Sequence, residues 1–140
     1  MIWFLVVVVA SGILLFGLVS SGGKTRSPRR NSSLDRELVV TRWQNIEAMT
    51  AGGGSGLKSA ISEADKLLDY AMRGQGAAGA TMAERLKRSE TRLSDKESVW
   101  QAHKLRNHLA HEVGFEVAAG HAREAIAAYG RALRDLGALK

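Results

Sequence analysis

The chain has 140 residues, no cysteine and a formal net charge of +6 at pH 7. That leaves room for one domain of about 100 residues plus an appendage, and it excludes a disulfide framework or a thiolate metal site. The charge is uneven: Lys24, Arg26, Arg29 and Arg30 precede the first acidic residue, Asp35, and without them 16 basic residues face 14 acidic ones, a balance that makes no case of its own for nucleic acid.

Residues 2–19, IWFLVVVVASGILLFGLV, carry one polar side chain, Ser11. As a helix they would span about 27 Å, close to the hydrocarbon core of a bilayer. No Lys or Arg precedes the run, and the basic cluster follows it. A cleaved signal peptide has the opposite flanks. The expectation is a single transmembrane helix over residues 1–20, a basic flexible linker over 21–33 and a helical-bundle domain over 34–140. Val19, Ser20 and Ser21 would also pass as a cleavage site, so the signal peptide stays open as the alternative. The positive-inside rule makes the chain a single-pass protein of the cell membrane with its C-terminal domain in the cytoplasm.

The linker is rich in Gly, Ser and like charges, with Pro28 among them, and cannot bury a core. Lys24, Arg26, Arg29 and Arg30 are expected to rest on anionic lipid headgroups. An RNA-binding tail is the rival reading of the same four cations.

From Leu34 onward the pattern is helical, and Ala and Leu favour helices packed closely together. Over residues 34–50, Val39, Trp43, Ile46 and Met49 share a face. The glycine-rich run at 51–56 breaks the pattern and reads as a flexible helix–helix connection; it lacks the strand and the Gly-Lys-Ser/Thr ending of a phosphate-binding loop. Leu57, Ala60, Ile61, Ala64, Leu67, Leu68, Ala71 and Met72 then recur at spacings of 3 and 4, a second helix over 57–73. Gly74 and Gly76 end it. Thr81 with Glu84, and Ser94 with Glu97, match the capping box and open two further helices. The last helix, over 118–139, has Ala122, Ala125, Ile126, Tyr129, Leu133 and Leu136 on its apolar face.

The helix opened by Ser94 contains WQAHKLRNHLAHE at residues 100–112. With Val99 at zero, Ala102, Leu105, Leu109 and Val113 fall between about 240° and 320°, which defines the expected buried stripe. Arg106 falls at about 340°, at the edge of that stripe. Its guanidinium then needs an acceptor, and carboxylates at Glu63, Asp65 or Asp69 are candidates, as is a dimer mate. His103, Asn107 and His111 follow one another at i+4 and form a polar stripe alongside. His111 lies near the helix end, where the dipole favours a protonated imidazole.

Arg106, Asn107 and His111 resemble the Arg-x(4–6)-His signature of HEPN domains, in which Asn often follows the Arg. The resemblance covers roughly residues 34–139. It implies an all-α, HEPN-like up-and-down four-helix bundle, and many members are metal-independent RNases that dimerise across the signature helix. By that resemblance Arg106 and His111 form the catalytic pair and Asn107 assists; His103, on the same polar stripe, is expected as an accessory residue. Arg106 would hold the scissile phosphate, and His111 would move the proton. Where some toxin-type members carry Tyr two residues after the His, this chain has Val113.

No two His are four apart, and no carboxylate completes a ligand pattern, so neither a metal nor another cofactor is expected. The expected partners are the membrane, RNA, a second copy across the helix at 100–112, and an unidentified protein. Two functions remain in play: a membrane-anchored RNase, and a membrane-tethered helical interaction module without chemistry.

Overall fold

The computed structural model describes residues 34–140. The expected membrane span and the linker cations lie outside the described residues. Among the described residues the fold is all-α. It has four long helices, α1 (Arg36–Met49), α2 (Gly53–Gly74), α4 (Lys96–His111) and α5 (Ala119–Asp135), and a short one, α3 (Met82–Ser89). Single 3₁₀ turns occupy Thr50–Gly52 and Glu90–Arg92, and no strand occurs among the described residues. None of the described helices is long and apolar enough to cross a membrane.

Contacts between helix ends give the sense of each helix. Arg36 Nε, at the start of α1, donates to Gly137 O beyond the end of α5. Ser94, just before α4, bonds to Asp135 at the end of α5. Lys58, early in α2, pairs with Glu116 beyond the end of α4 at 2.8 Å. Helices α1 and α4 therefore run one way and α2 and α5 the other. Helix α2 packs on α1, α4 and α5 and is the central member of the group. Its buried face alternates Ala60, Ala64 and Ala71 with Leu57, Ile61, Leu68 and Met72. Across from it α5 buries Ala122, Ala128, Ala132 and Leu133. Small side chains on both faces let two helices approach closely, and the leucines between them fill the space that remains.

The expected core residues Val39, Trp43, Ile46, Leu57, Ile61, Ala64, Leu68, Val99, Ile126, Tyr129, Leu133 and Leu136 are all buried. The stripe on α4 departs from expectation at its far end. Leu105 and Leu109 are half-buried, and Val113 is fully exposed. The helix stops at His111, so Val113 no longer follows helical spacing and sits in the turn around Gly114, whose φ is 76°.

The last helix ends at Asp135 and not near 139, and two further boundaries differ from the sequence reading. The glycine run is not a flexible connection: α2 begins at Gly53, directly after the Thr50–Gly52 turn. The glycines permit this tight passage, because a Cβ on Gly56 would sit 2.3 Å from the Met49 carbonyl oxygen. The cap of α4 is Asp95, not Ser94. Asp95 Oδ1 accepts the Ser98 N–H at 3.1 Å, while Ser94 spends both its N–H and its hydroxyl on Asp135. Hydrogen bonds from Ser98, with a smaller contribution from the charge of Arg131, hold the Asp95 carboxyl below its ordinary pKa. Thr81 caps α3 as expected, accepting the Glu84 N–H at 3.2 Å.

Helix α3 is fastened to α2 by one arginine. Arg85 is 9% exposed; its Nε and Nη2 reach the two oxygens of Asp69 at 2.6 and 3.1 Å, and its Nη1 donates to Gly79 O at 2.6 Å. Arg85→Ala should cost about 2–3 kcal/mol, near the low end for breaking a buried pair, because Arg73 remains as a second cation near Asp69. Urea unfolding measures this, and an unchanged midpoint would remove the clamp from the account of stability. Gly130 serves a different contact: a Cβ there would lie 2.7 Å from the Trp43 ring. Gly130→Ala should destabilise by about 1–3 kcal/mol through overpacking, read as a lowered melting temperature.

Candidate functional site

The polar groups on α4 meet a carboxylate that sits among apolar neighbours. Asp65 lies at i+4 from Ile61 and i−3 from Leu68, on the core face of α2, and is 3% exposed. A carboxylate taken out of water there is tolerated only with several partners. Tyr129 on α5 donates its hydroxyl to Asp65 Oδ1 at 2.9 Å. His103 on α4, 8% exposed, brings Nδ1 to the same oxygen at 2.7 Å. Arg106, one turn further along α4, places Nε 3.5 Å from Asp65 Oδ2. That contact is close enough for charge attraction, yet Arg106 Nε is buried without an aligned hydrogen-bond acceptor.

Asn107 completes the group. Its Oδ1 accepts from Arg106 Nη1 at 3.2 Å, and its Nδ2 lies 3.4 Å from His103 Nε2. Trp100 stands edge-on to the His103 ring and anchors its own indole N–H on Glu90 at 2.8 Å. Three long helices thus converge on one carboxylate, with a cation at the outer side. Among the carboxylates named from sequence, Asp65 is the one that Arg106 contacts; Glu63 instead pairs with Lys66 at 2.7 Å, and Asp69 holds Arg85.

Arg106 is half-buried and faces a groove of about 360 Å³, shared with Lys58, Ser59, Ser62, Leu109 and Phe115. His111, the last residue of α4, is exposed. Among the described residues the side-chain hydrogen bonds and ion pairs join Arg106, Asn107, His103, Asp65 and Tyr129 into one cluster, and none of them brings His111 into it. His108 points outward, pairs with Glu112 and stacks on Phe115 with ring centroids 5.5 Å apart. No three His, Asp or Glu side chains among the described residues are grouped to hold a metal ion.

Sequence reasoning ranked His103 as accessory, while it is the most buried polar member of α4 in the cluster. It took Tyr129 for core packing alone. The available signal was Asp65 at core spacing together with Tyr129 at core spacing, since each needs a polar partner when buried.

Comparison with protein-family models, with curated proteins and with solved structures finds no match for this chain. The HEPN resemblance therefore rests on the α4 motif and the helical pattern around it.

The Tyr129 phenol has a pKa raised above its ordinary value, by burial first and then by the charge and hydrogen bond of Asp65. The unfolded phenol loses its proton near the ordinary value of 10.0, while the folded one keeps it. The folded state then binds more protons than the unfolded state, so stability is intact below pH 10 and falls as pH rises beyond it. The slope should be about 1.4 kcal/mol per pH unit from this group. Urea midpoints of the parent and of Tyr129→Phe, measured between pH 9 and pH 11.5, check this. The parent should lose stability more steeply, and parallel curves would contradict the raised phenol.

Proposed function

We propose that this chain is a membrane-anchored HEPN-like helical bundle that cleaves RNA without a metal, through Arg106 and His111. The observation that carries the reading is the placement of Arg106. Its charge is held against Asp65 at 3.5 Å, and it lines a groove together with Ser59, Ser62, Glu112 and Lys58, the last paired with Glu116. A guanidinium held by a buried carboxylate is ready to meet a phosphate without first being ordered. His111 is exposed on the same helix, one and a half turns on, and is free to exchange a proton.

In this reaction the RNA 2′-oxygen attacks the adjacent phosphorus as the P–O5′ bond breaks. His111 acts as the acid or base: it takes the 2′-hydroxyl proton or supplies one to the leaving 5′-oxygen, and water or a second copy's histidine does the other. Arg106 stabilises charge on the non-bridging oxygens. Asn107 acts from behind, since its amide lies between Arg106 and His103. The half-buried Leu105 and Leu109 on α4, with the exposed Val113 just beyond its end, support pairing with a second copy. An anchor at residues 1–20 would confine two copies to one surface and raise their effective concentration. Lys24, Arg26, Arg29 and Arg30 would lie on the headgroups of the cytoplasmic leaflet.

A specific observation favours the second reading, a tethered interaction module. The contacts Arg106 makes, with Asp65 and Asn107, lie within the cluster, and His111 has no bonded link to it. Cleavage of single-stranded RNA by the full chain in detergent micelles separates the two. For an RNase, His111→Ala should lower cleavage by about 100-fold or more with little change in melting temperature. Arg106→Ala should lower both cleavage and stability, because it leaves Asp65 without its cation. No cleavage by the parent protein, or undiminished cleavage by His111→Ala, would leave the interaction module as the function.

A further inference from the structure

The side chains around Asp65 close into a ring whose donors and acceptors are mutually determined. The starting point is Arg106, which carries donors and no acceptor. Its Nη1 lies 3.2 Å from the Asn107 amide, so the amide must present its oxygen there. That orientation turns Asn107 Nδ2, a donor, toward His103 Nε2 at 3.4 Å. Two facing donors would repel, so Nε2 must be the bare nitrogen. The remaining proton of His103 then sits on Nδ1, which faces Asp65 Oδ1 at 2.7 Å, where a carboxylate accepts it. Tyr129 donates to the same oxygen at 2.9 Å. With Oδ1 occupied twice, Oδ2 is the oxygen left to face Arg106.

We propose that Asp65, His103 and Tyr129 are positioning residues for Arg106, and that with Asn107 they hold His103 as the Nδ1–H tautomer and keep the guanidinium turned to the groove. Its significance for catalysis rests on the proposed role of Arg106, but the ring itself does not. Each member is fixed by the next, and three helices supply the parts. Asp65 comes from α2, Tyr129 from α5 and the other three from α4. A slide of α4 against α2 would break the His103 and Arg106 contacts together. The position of the cation is therefore tied to the helix packing and not to the rotamer of a long, otherwise free side chain.

Imidazole and guanidinium signals of the ¹⁵N-labelled full chain in detergent micelles test this without reference to RNA. In the parent protein His103 should carry its proton on Nδ1, with Nε2 bare. Asn107→Asp puts an acceptor opposite Nε2 and should bring a second proton onto that nitrogen. The Arg106 Nε–H should exchange with solvent about tenfold faster in Asp65→Asn, as for loss of a contact worth about 1.4 kcal/mol. Tyr129→Phe, a milder change should Asp65→Asn fail to fold, should speed that exchange in the same direction. Arg85→Ala loosens the α3 clamp away from the ring and should leave the His103 tautomer and the Arg106 signal in place. A generally weakened fold would move all of these alike. A proton on His103 Nε2 in the parent would overturn the ring, as would an unchanged imidazole in Asn107→Asp. So would Arg106 exchange indifferent to both Asp65→Asn and Tyr129→Phe. Because cleavage is not read, a negative RNase assay leaves this result standing, and a failed ring leaves the RNase assay to be judged separately.

Discussion

A carboxylate buried in an apolar helix face is the constraint from which most of this fold follows. Asp65 sits where a leucine or alanine would pack without cost, and it must instead find donors and a cation. It takes them from two other helices, Tyr129 from α5 and His103 with Arg106 from α4. The leucines between the alanines pack α5 on α2, and the polar point at Asp65, contacted from two sides, adds a directional constraint on α4 and α5. Replacing the whole group by apolar side chains of equal volume would be tolerated better than removing any one member, because the cost lies in stranding a partner.

Close approach sets the second constraint. Gly56 lies against the Met49 carbonyl, and Gly130 lies under the Trp43 ring, at separations that leave no room for a methyl group. These two contacts hold α1 close to the rest at its C-terminal end and near its middle. Trp43 lies against Gly130 of α5, with its indole N–H donated to Glu47 at 3.0 Å along its own helix. The short helix α3 needs its own fastening, since it is too short to bury much surface, and the Arg85–Asp69 pair supplies it. The bundle thus combines an alanine-rich centre with a few charged fastenings.

The helices were legible in the sequence because their apolar spacing is regular and their caps are chemically distinct. Helix α2 was clearest: its stripe runs unbroken from Leu57 to Met72. Its start was misplaced because glycine is a poor helix former by propensity, and the helix begins there for a tertiary reason, the tight passage beside Met49. The cap of α4 slipped by one residue because Ser94 and Asp95 are equally good caps, and only the distant Asp135 decides between them. Spacing alone led to Leu109 and Val113 being over-read: it says which face a residue occupies and nothing about whether another helix covers that end. At the site, Arg106 could be placed at the edge of the apolar stripe, and Asp65 could be named among its acceptors. The closed ring could not be read, because it depends on three helices meeting at one height, which no local pattern encodes.

The two functional readings draw on opposite properties of Arg106. A structural arginine is complete when its donors are satisfied within the fold. A phosphate-binding arginine needs a free edge and a fixed direction. Here the inner side is only partly satisfied, with Nε at 3.5 Å from Asp65 and without an aligned acceptor, while the outer side lines a groove. A purely structural arginine would gain by turning Nε into line with the carboxylate, since a charge-assisted bond is stronger when straight. The Asn107 contact opposes that turn, because it holds Nη1 in place from the side. The guanidinium is thus held from two sides, by the charge of Asp65 and by the Asn107 amide, and both readings of Arg106 draw on that same fixed position.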